Sequence, residues 1–416
     1  MGMTILFFRM IRAIIIILLS LNALFSFSSD RPQYTANPFS FVVEEPVYGD
    51  GTSFFVADLN RDGLFDFTYR SKTKLYVYDH GGSLLWKRAI AYSCADMNHH
   101  GAKHGAADVD GDGDVEIVAL DDSNRVVVFD GANGAIEDML TVAERLNQIA
   151  GHVAVVNLRG EGDRDVIVQT VDIHPDSVRN VYYINRSLMA YRLDTKQMLW
   201  RVDQDDDPQP EIYERYWGQA HGPFFCADVD GDGLDEVIGG NMIDDDGTVM
   251  ELNYPIDWLD ATPRYIDHFD CIAVGDFRPD LPGLEWIVTE EDLGGDRKDW
   301  NTTMLRFDPG FPNDGILWRR ETDLFPEDRS REPQNVAAGN FDLSRNHGEV
   351  WVRSAFCDDS TPSVSQHPWI FDGFGRQFAH YATEDSLPAG FNAHPDGNKR
   401  GLEMIWTVDW SGRRKN

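Results

Sequence analysis

Short apolar runs separated by acidic or glycine-rich turns recur along almost the whole chain. The first set is Phe54-Phe-Val-Ala57, Phe67-Thr-Tyr-Arg70, Lys74-Leu-Tyr-Val-Tyr-Asp79 and Leu84-Leu-Trp86. Later sets contain Ile117-Val-Ala-Leu120 with Arg125-Val-Val-Val-Phe-Asp130, Val166-Ile-Val-Gln169 with Leu188-Met-Ala-Tyr-Arg192 and Met198-Leu-Trp200, and Val237-Ile-Gly239 with Thr248-Val-Met250. Trp286-Ile-Val288, Thr303-Met-Leu-Arg-Phe-Asp308 and Ile316-Leu-Trp318 follow, then Val350-Trp-Val352 with Trp369-Ile-Phe-Asp372, and finally Leu402-Glu-Met-Ile-Trp-Thr-Val408. Runs of this length bounded by turn residues predict strands, and no pattern of helical period competes with them. The turn opening each set begins near Asp58, Asp108, Asn157, Asp228, Asp276, Asn340 and His394, about fifty residues apart and farther where loops intervene. Four short strands per unit at that spacing predict an all-β fold, a β-propeller of seven four-stranded blades. The last unit has room for only two strands, so residues 39–48 are expected to latch the ring, with an eight-bladed, truncated parent as the alternative.

The opening turns carry chemistry. Asp108-Val-Asp-Gly-Asp-Gly-Asp-Val-Glu116 recurs as Asp228-Val-Asp-Gly-Asp-Gly-Leu-Asp-Glu236 and, more loosely, as Asp58-Leu-Asn-Arg-Asp-Gly-Leu-Phe-Asp66. Alternating oxygens, a glycine for the sharp turn and a closing acid suit Ca²⁺, which takes 6–8 hard oxygen ligands. The expected ligands are Asp108, Asp110, Asp112 and Glu116; Asp228, Asp230, Asp232 and Glu236; and Asp58, Asn60, Asp62 and Asp66. An EF-hand is excluded, because strands rather than helices flank the loops. The third repeat carries Arg159 at a ligand position and is expected to be empty. The fifth, between Asp276 and Glu285, carries an insertion and is not counted as a site.

Composition then bounds the setting. The chain has 416 residues, 42% of them hydrophobic, enough for a large core. Arg9 and Arg12 precede the apolar run Ala13-Ile-Ile-Ile-Ile-Leu-Leu-Ser-Leu-Asn-Ala-Leu-Phe25 and then small residues, which reads as a secretory signal peptide over residues 1–29. The mature part, residues 30–416, is expected to be a secreted or periplasmic monomer with no stable membrane insertion. Cys94, Cys226, Cys271 and Cys357 fit no metal-binding spacing and are expected to be buried or unpaired thiols. A net charge of −33 argues against a nucleic-acid partner. It leaves room for an acidic polysaccharide at a local basic patch, since charges beyond ~8 Å are largely screened in physiological salt.

The Ala-Asp-Val-Asp-Gly-Asp-Gly repeat resembles the FG-GAP repeats of integrin alpha chains and secreted bacterial propellers. A longer series is more specific. Gln219-Ala-His-Gly222, the loop from Asp228 to Gly240, Ile243-Asp-Asp-Asp-Gly247, His268-Phe-Asp270 and Gly275-Asp-Phe-Arg-Pro-Asp-Leu-Pro-Gly-Leu-Glu285 together are similar to the rhamnogalacturonan lyases. Secreted ulvan lyases are a second relative in shape. The resemblance implies a calcium-rich propeller acting on a uronic-acid polysaccharide. Those lyases usually carry eight blades and an additional β-sandwich domain, for which this chain has no space, and Phe269 stands where a small residue is expected.

The segments leading into the innermost strands hold the cationic and aromatic residues. His100, His221 and His268 stand 8, 7 and 8 residues before the first Asp of their loops, and His104 and His152 are expected near the same level. With Arg215, Arg264, Arg331, Tyr216 and Tyr265 they are expected to converge on one mouth, opposite the acidic loops. Such a set suits β-elimination. Arg215, Arg264, Arg331 or a bound Ca²⁺ neutralises the uronate carboxylate. His221 or His268, with His104 third, takes the C5 proton. Tyr216 or Tyr265 protonates the leaving oxygen. Trp217, Tyr182 and Tyr183, beside Tyr216, are expected to stack on sugar rings, with His100, His152 and Arg331 also contacting substrate. The competing readings are a non-catalytic propeller binding a glycan or protein partner, and a hydrolase using carboxylates among Glu214, Asp267 and Asp270. No G-x-S-x-G or H-E-x-x-H sequence occurs, which argues against a serine esterase of that type and a zincin.

Overall fold

The computed structural model describes residues 53–71, 73–91, 104–142, 148–172, 187–203, 224–238, 242–250, 268–291, 301–306, 315–321, 333–339, 347–354 and 369–380. Residues 1–29, expected to be a signal peptide, residues 39–48 and the expected seventh unit lie outside them. Within them the chain is all-β and forms six four-stranded sheets of consecutive antiparallel strands. Blade 1 is β1 (Ser53–Ala57), β2 (Asp66–Arg70), β3 (Lys74–Tyr78) and β4 (Leu84–Ala89). Blade 2 is β5 (His104–Ala107), β6 (Glu116–Leu120), β7 (Arg125–Asp130) and β8 (Ile136–Thr141). Blade 3 is β9 (Gln148–Val156), β10 (Asp165–Asp172), β11 (Ser187–Arg192) and β12 (Met198–Asp203). Blade 4 has short strands, β13 (Phe225–Ala227), β14 (Glu236–Ile238), β15 (Met242–Ile243) and β16 (Val249–Met250). Blade 5 is β17 (His268–Gly275), β18 (Glu285–Glu291), β19 (Asn301–Arg306) and β20 (Ile316–Glu321). Blade 6 is β21 (Pro333–Gly339), β22 (Glu349–Ser354), β23 (Trp369–Asp372) and β24 (Gln377–His380).

First strands neighbour first strands: β1 lies by β5, β5 by β9, β9 by β13, β13 by β17 and β17 by β21. They are therefore the inner strands of a propeller arrangement, and the six sheets follow one another around it. The second and third strands of blade 2 are covered on both faces, by blades 1 and 3, which explains why β6 is apolar without alternation and buried throughout. The fourth strands are edges, and those of blades 1 and 2, such as Ile136–Thr141, are mostly exposed. They carry the charges that blunt further pairing, such as Glu137 and Asp138. Each seam between blades holds its own apolar cluster. Leu75, Val77 and Trp86 meet Ile117, Val127 and Phe129 at the first; Val118, Val126 and Leu140 meet Val153, Val166 and Met189 at the second.

Alternate seams share a further device. Trp86 of β4 donates its indole N–H to Gly131 O in the β7–β8 turn at 2.7 Å. Trp200 of β12 does the same to Asp245 O at 2.6 Å, and Trp318 of β20 to Gly373 O at 3.1 Å. Blades 1, 3 and 5 thus latch onto blades 2, 4 and 6, whereas β8 and β16 carry no tryptophan. The blade 2–blade 3 seam has an ion pair in the comparable region, between Lys196 and Asp138. Each latched turn ends in a left-handed glycine lying under the indole. At Gly134, φ is +70° and an added Cβ would come within 2.6 Å of the Trp86 ring. Gly134→Ala is expected to destabilise the protein by roughly 2–4 kcal/mol, combining left-handed strain with overpacking. Gly162, with φ +81° and nothing within 4 Å, is the control. Gly162→Ala loses only the backbone part, about 1–2 kcal/mol, in urea melts followed by tryptophan fluorescence.

Cys226 and Cys271 are half-buried, with Cys271 Sγ 3.8 Å from Val336 O, and Cys94 and Cys357 lie outside the described residues.

Candidate functional site

The acidic turns join first to second strands in blades 1 to 5, so they share one face of the propeller. Their backbones are wound by their own side chains. Asp112 N donates to Asp110 Oδ1 at 3.0 Å and Asp114 N to Asp112 Oδ1 at 2.7 Å. In blade 4, Asp232 N donates to Asp230 Oδ1 at 3.1 Å and Leu234 N to Asp232 Oδ1 at 2.8 Å. Blade 1 repeats the pattern, with Asp62 N to Asn60 Oδ1 at 2.9 Å and Leu64 N to Asp62 Oδ1 at 2.8 Å. The closing acid is the first residue of the second strand and turns inward. Glu116 Oε2 accepts from Val109 N at 2.8 Å, Glu236 Oε2 from Val229 N at 2.7 Å, and Asp66 Oδ2 from Leu59 N at 3.0 Å. In blade 5, Glu285 Oε2 accepts from Phe277 N and Arg278 N at 3.0 and 2.9 Å.

These closing acids are expensive to bury as anions. Burial, opposed by the backbone bonds and helped by neighbouring aspartates, pushes Glu116 and Glu236 up to about 7 and Asp66 to about 6. Glu236 Oε1 is enclosed with no hydrogen-bond partner. A hard cation would satisfy that oxygen and cancel the repulsion. Ligand atoms of Asp108, Asp110 and Glu116 lie within 4.8 Å of one another, as do those of Asp228, Asp230 and Glu236. These two groups can hold a metal ion, and the donor set of carboxylates fits a hard one.

Asp112 and Asp232, also expected as ligands, are turn-forming neighbours that fall outside these tight groups. In blade 1 the tight group is Asp62, Asp66 and His80; Asp58 and Asn60 lie beside it in the loop. His80 is not apparent from the loop motif, since it comes from the β3–β4 turn. In blade 3, Arg159 places Nη2 2.9 Å from Asp165 Oδ1 and Nη1 2.6 Å from Glu161 Oε2. The guanidinium thus lies against the closing acid of this loop. In blade 5, Arg278 is engaged with Asp280 at 2.8 Å.

The opposite ends of the inner strands are partly described. His104 opens β5 and is 1% exposed. Its Nε2 lies 2.5 Å from Thr68 Oγ1, and Phe55 packs edge-on at 6.4 Å. Burial and then the Arg70 charge pull it down to about 3, so the ring is neutral. His152 is buried within β9, opposite Gln169. Both stand nearer the acidic loops in sequence, four and five residues before Asp108 and Asn157, than His268, which begins β17 eight residues before Asp276. His100, Tyr182, Tyr183, Arg215, Tyr216, Trp217, His221, Arg264, Tyr265 and Arg331 lie outside the described residues.

Comparison with known proteins adds the decisive observation. The C-terminal domain of rhamnogalacturonan lyase family 11 matches residues 73–306, more than half of the 416 residues. The chain belongs to that family. Two relatives of this family-11 chain come from Bacillus subtilis (strain 168). Rhamnogalacturonan endolyase YesW is 26% identical over 267 residues, covering 58% of this chain and 37% of that enzyme. Rhamnogalacturonan exolyase YesX is 36% identical over 112 residues, covering 27% of this chain and 16% of that enzyme. The family-11 chain thus spans little more than a third of the length of the first relative. Among solved structures, the V. cholerae biofilm matrix protein Bap1 matches 81% of this chain and 59% of its own at 13% identity and a TM-score of 0.41. The family match takes in the acidic loops of blades 2 and 4 and the segment from Gln219 to Glu285. Among the described residues no helix is long and apolar enough to cross a membrane.

Proposed function

We propose that this chain is a secreted polysaccharide lyase that cleaves a rhamnogalacturonan-like, uronic-acid-containing polymer by β-elimination. The observation that carries the reading is the family match over residues 73–306, which contains His104, His152, Arg215, Tyr216, His221, Arg264, Tyr265 and His268. In this reading Arg215 or Arg264 meets the carboxylate of the uronate, so that charge developing at C5 is stabilised. His221 or His268 removes the C5 proton, and Tyr216 or Tyr265 delivers one to the departing oxygen. Trp217, Tyr182, Tyr183, His100 and Arg331 bind flanking sugars. His104 and His152, both buried, shape the wall behind the mouth; His104, held neutral and closed to solvent, positions rather than exchanges protons.

The acidic loops of blades 2 and 4 hold Ca²⁺ through Asp108, Asp110 and Glu116, and through Asp228, Asp230 and Glu236, with Asp112 and Asp232 closing each loop. When bound there, calcium supplies rigidity on the face away from the mouth. Residues 1–29 act as the export signal, and two or more strands beyond blade 6 complete a seven-bladed ring. The mature protein works as a monomer outside the cytoplasm.

The test is ultraviolet absorbance of the unsaturated uronate product, using residues 30–416 with calcium and rhamnogalacturonan, ulvan, polygalacturonate and glucuronan in parallel. A rise on rhamnogalacturonan is expected. New reducing ends without that absorbance would make the protein a hydrolase. A flat trace on all four, from folded and calcium-loaded protein, would reassign it as a binding propeller.

A further inference from the structure

The three cation-type loops are not chemically equal. In blades 2 and 4 the tight ligand groups are carboxylates alone, Asp108, Asp110 and Glu116, and Asp228, Asp230 and Glu236. In blade 1 the group is Asp62, Asp66 and the imidazole of His80, with all three ligand atoms within 4.8 Å. His80 comes from the β3–β4 turn, on the same face as the loop, and its Nδ1 is 3.2 Å from Asp62 Oδ2. The corresponding turn residues, one position after Asp130, Asp244 and Asp372, are Gly131, Asp245 and Gly373. Only blade 1 has a nitrogen donor there among the described residues.

Three further features separate this loop from the others. Asn60 stands where Asp110 and Asp230 stand, removing one negative charge. Arg61 takes the place of Gly111 and Gly231 with φ 59°. It sends its guanidinium to blade 2, 2.5 Å from Asp114 Oδ1 and 2.9 Å from Gly113 O. Asp58 Oδ1 is enclosed without a hydrogen-bond partner, whereas Asp108 Oδ1 and Asp228 Oδ1 each accept a glycine N–H at 2.7 Å. That enclosed oxygen is left facing nothing that donates to it.

Fewer charges weaken a loop for calcium, whose affinity follows the number of anionic oxygens. An imidazole added to carboxylates favours ions of intermediate softness, because neutral ring nitrogen suits Zn²⁺, Ni²⁺ and their neighbours while Ca²⁺ keeps to oxygen. We propose that the blade 1 loop is a mixed nitrogen–oxygen site, built by His80, Asp62 and Asp66 with Asp58 alongside, which selects a divalent transition ion of the Zn²⁺ or Co²⁺ kind over calcium. The inference rests on the reading of these loops as cation sites, and extends it by giving one of them a different ion. His80 and Asp62 keep about a quarter and a third of their side-chain surface exposed, 26% and 36%, so an ion can reach them from solvent.

The full chain, stripped of metal and reloaded with excess calcium, would be titrated with Co²⁺. Bound metals would be counted after gel filtration, and the visible absorption of the cobalt followed. One retained Co²⁺ per chain is expected, with an absorption shift typical of nitrogen ligation. His80→Gln keeps the turn and removes the imidazole nitrogen. It is expected to weaken Co²⁺ by on the order of 10–100-fold, while the calcium count is unchanged. Asp62→Asn is expected to weaken it as well. Equal Co²⁺ retention by the wild type and both variants would overturn the proposal. So would no retention by the wild type, which would leave His80 and Asp62 as a plain ion pair. The calcium count in the same samples reports separately on the loops of blades 2 and 4, so failure there is not confused with failure here.

Discussion

With His221 replaced by alanine, the protein stays folded and calcium-loaded and its rate of unsaturated-uronate formation falls by roughly 10²–10⁴, the usual contribution of a positioned base. The proposed elimination breaks a C–H bond next to a carboxylate, and the carbanion-like charge at C5 needs a cation on that carboxylate to develop. Arg215 stands six residues before His221 in the same segment, and Arg264 stands four before His268. Each histidine therefore travels with a guanidinium. His268→Ala is expected to show the same loss if its pair is the working one; the other variant then loses substrate affinity more than turnover. His104→Ala makes the internal control. It removes the partner of Thr68 Oγ1 from a fully enclosed position. Its cost should appear in the melting temperature, with turnover per folded molecule kept within a few-fold. Unchanged turnover in both His221→Ala and His268→Ala would remove histidine from the proton transfer.

Chelation of calcium should lower the melting temperature by on the order of 10 °C. A site filled at ~100 times its Kd stabilises the folded chain by about 2.7 kcal/mol, and the loops of blades 2 and 4 supply two such sites. A long chain converts each kcal/mol into a few degrees or less. The pH dependence carries a sign that marks the mechanism. Glu116 and Glu236 move from an ordinary 4.5 to about 7 without metal, because burial penalises their charge. Between those two values the folded chain holds more protons than the unfolded one. The stability of chelated protein is therefore fullest below about 4.5 as far as these groups decide it, and is lost as pH rises through about 7. Calcium reverses the slope, since protons compete with it for the same oxygens. Melting curves of loaded and chelated protein should converge towards pH 5 and separate above pH 7. Parallel curves across that range would show that the closing glutamates hold no ion.

Much of the architecture was readable because a propeller repeats. The turns at Asp58, Asp108, Asn157, Asp228 and Asp276 fall at the junction of a first and a second strand, as their spacing predicted. What escaped depends on contacts between segments far apart in the chain. His80 joins Asp62 and Asp66 from a hairpin 14 to 18 residues on, and nothing in the loop motif points to it. Trp86, Trp200 and Trp318 were visible as the ends of apolar runs, but their partners lie 45, 45 and 55 residues away on the next blade. His104 and His152 looked like mouth residues by residue type. Both are enclosed, four and five positions before their loops. The catalytic assignment depends on segments whose placement the strand pattern does not set, so it rests on the family match and on chemistry.

The tryptophan latches impose a parity on the ring. Blades 1, 3 and 5 give an indole and blades 2, 4 and 6 receive one, so giver and receiver alternate around the axis. A closed ring keeps that alternation only with an even number of members. In an odd ring two blades of one kind meet at a single seam. The seven-bladed ring proposed above therefore has one seam at which the alternation breaks. Among the described blades the latched unit is the doublet, one member giving an indole and the other receiving it.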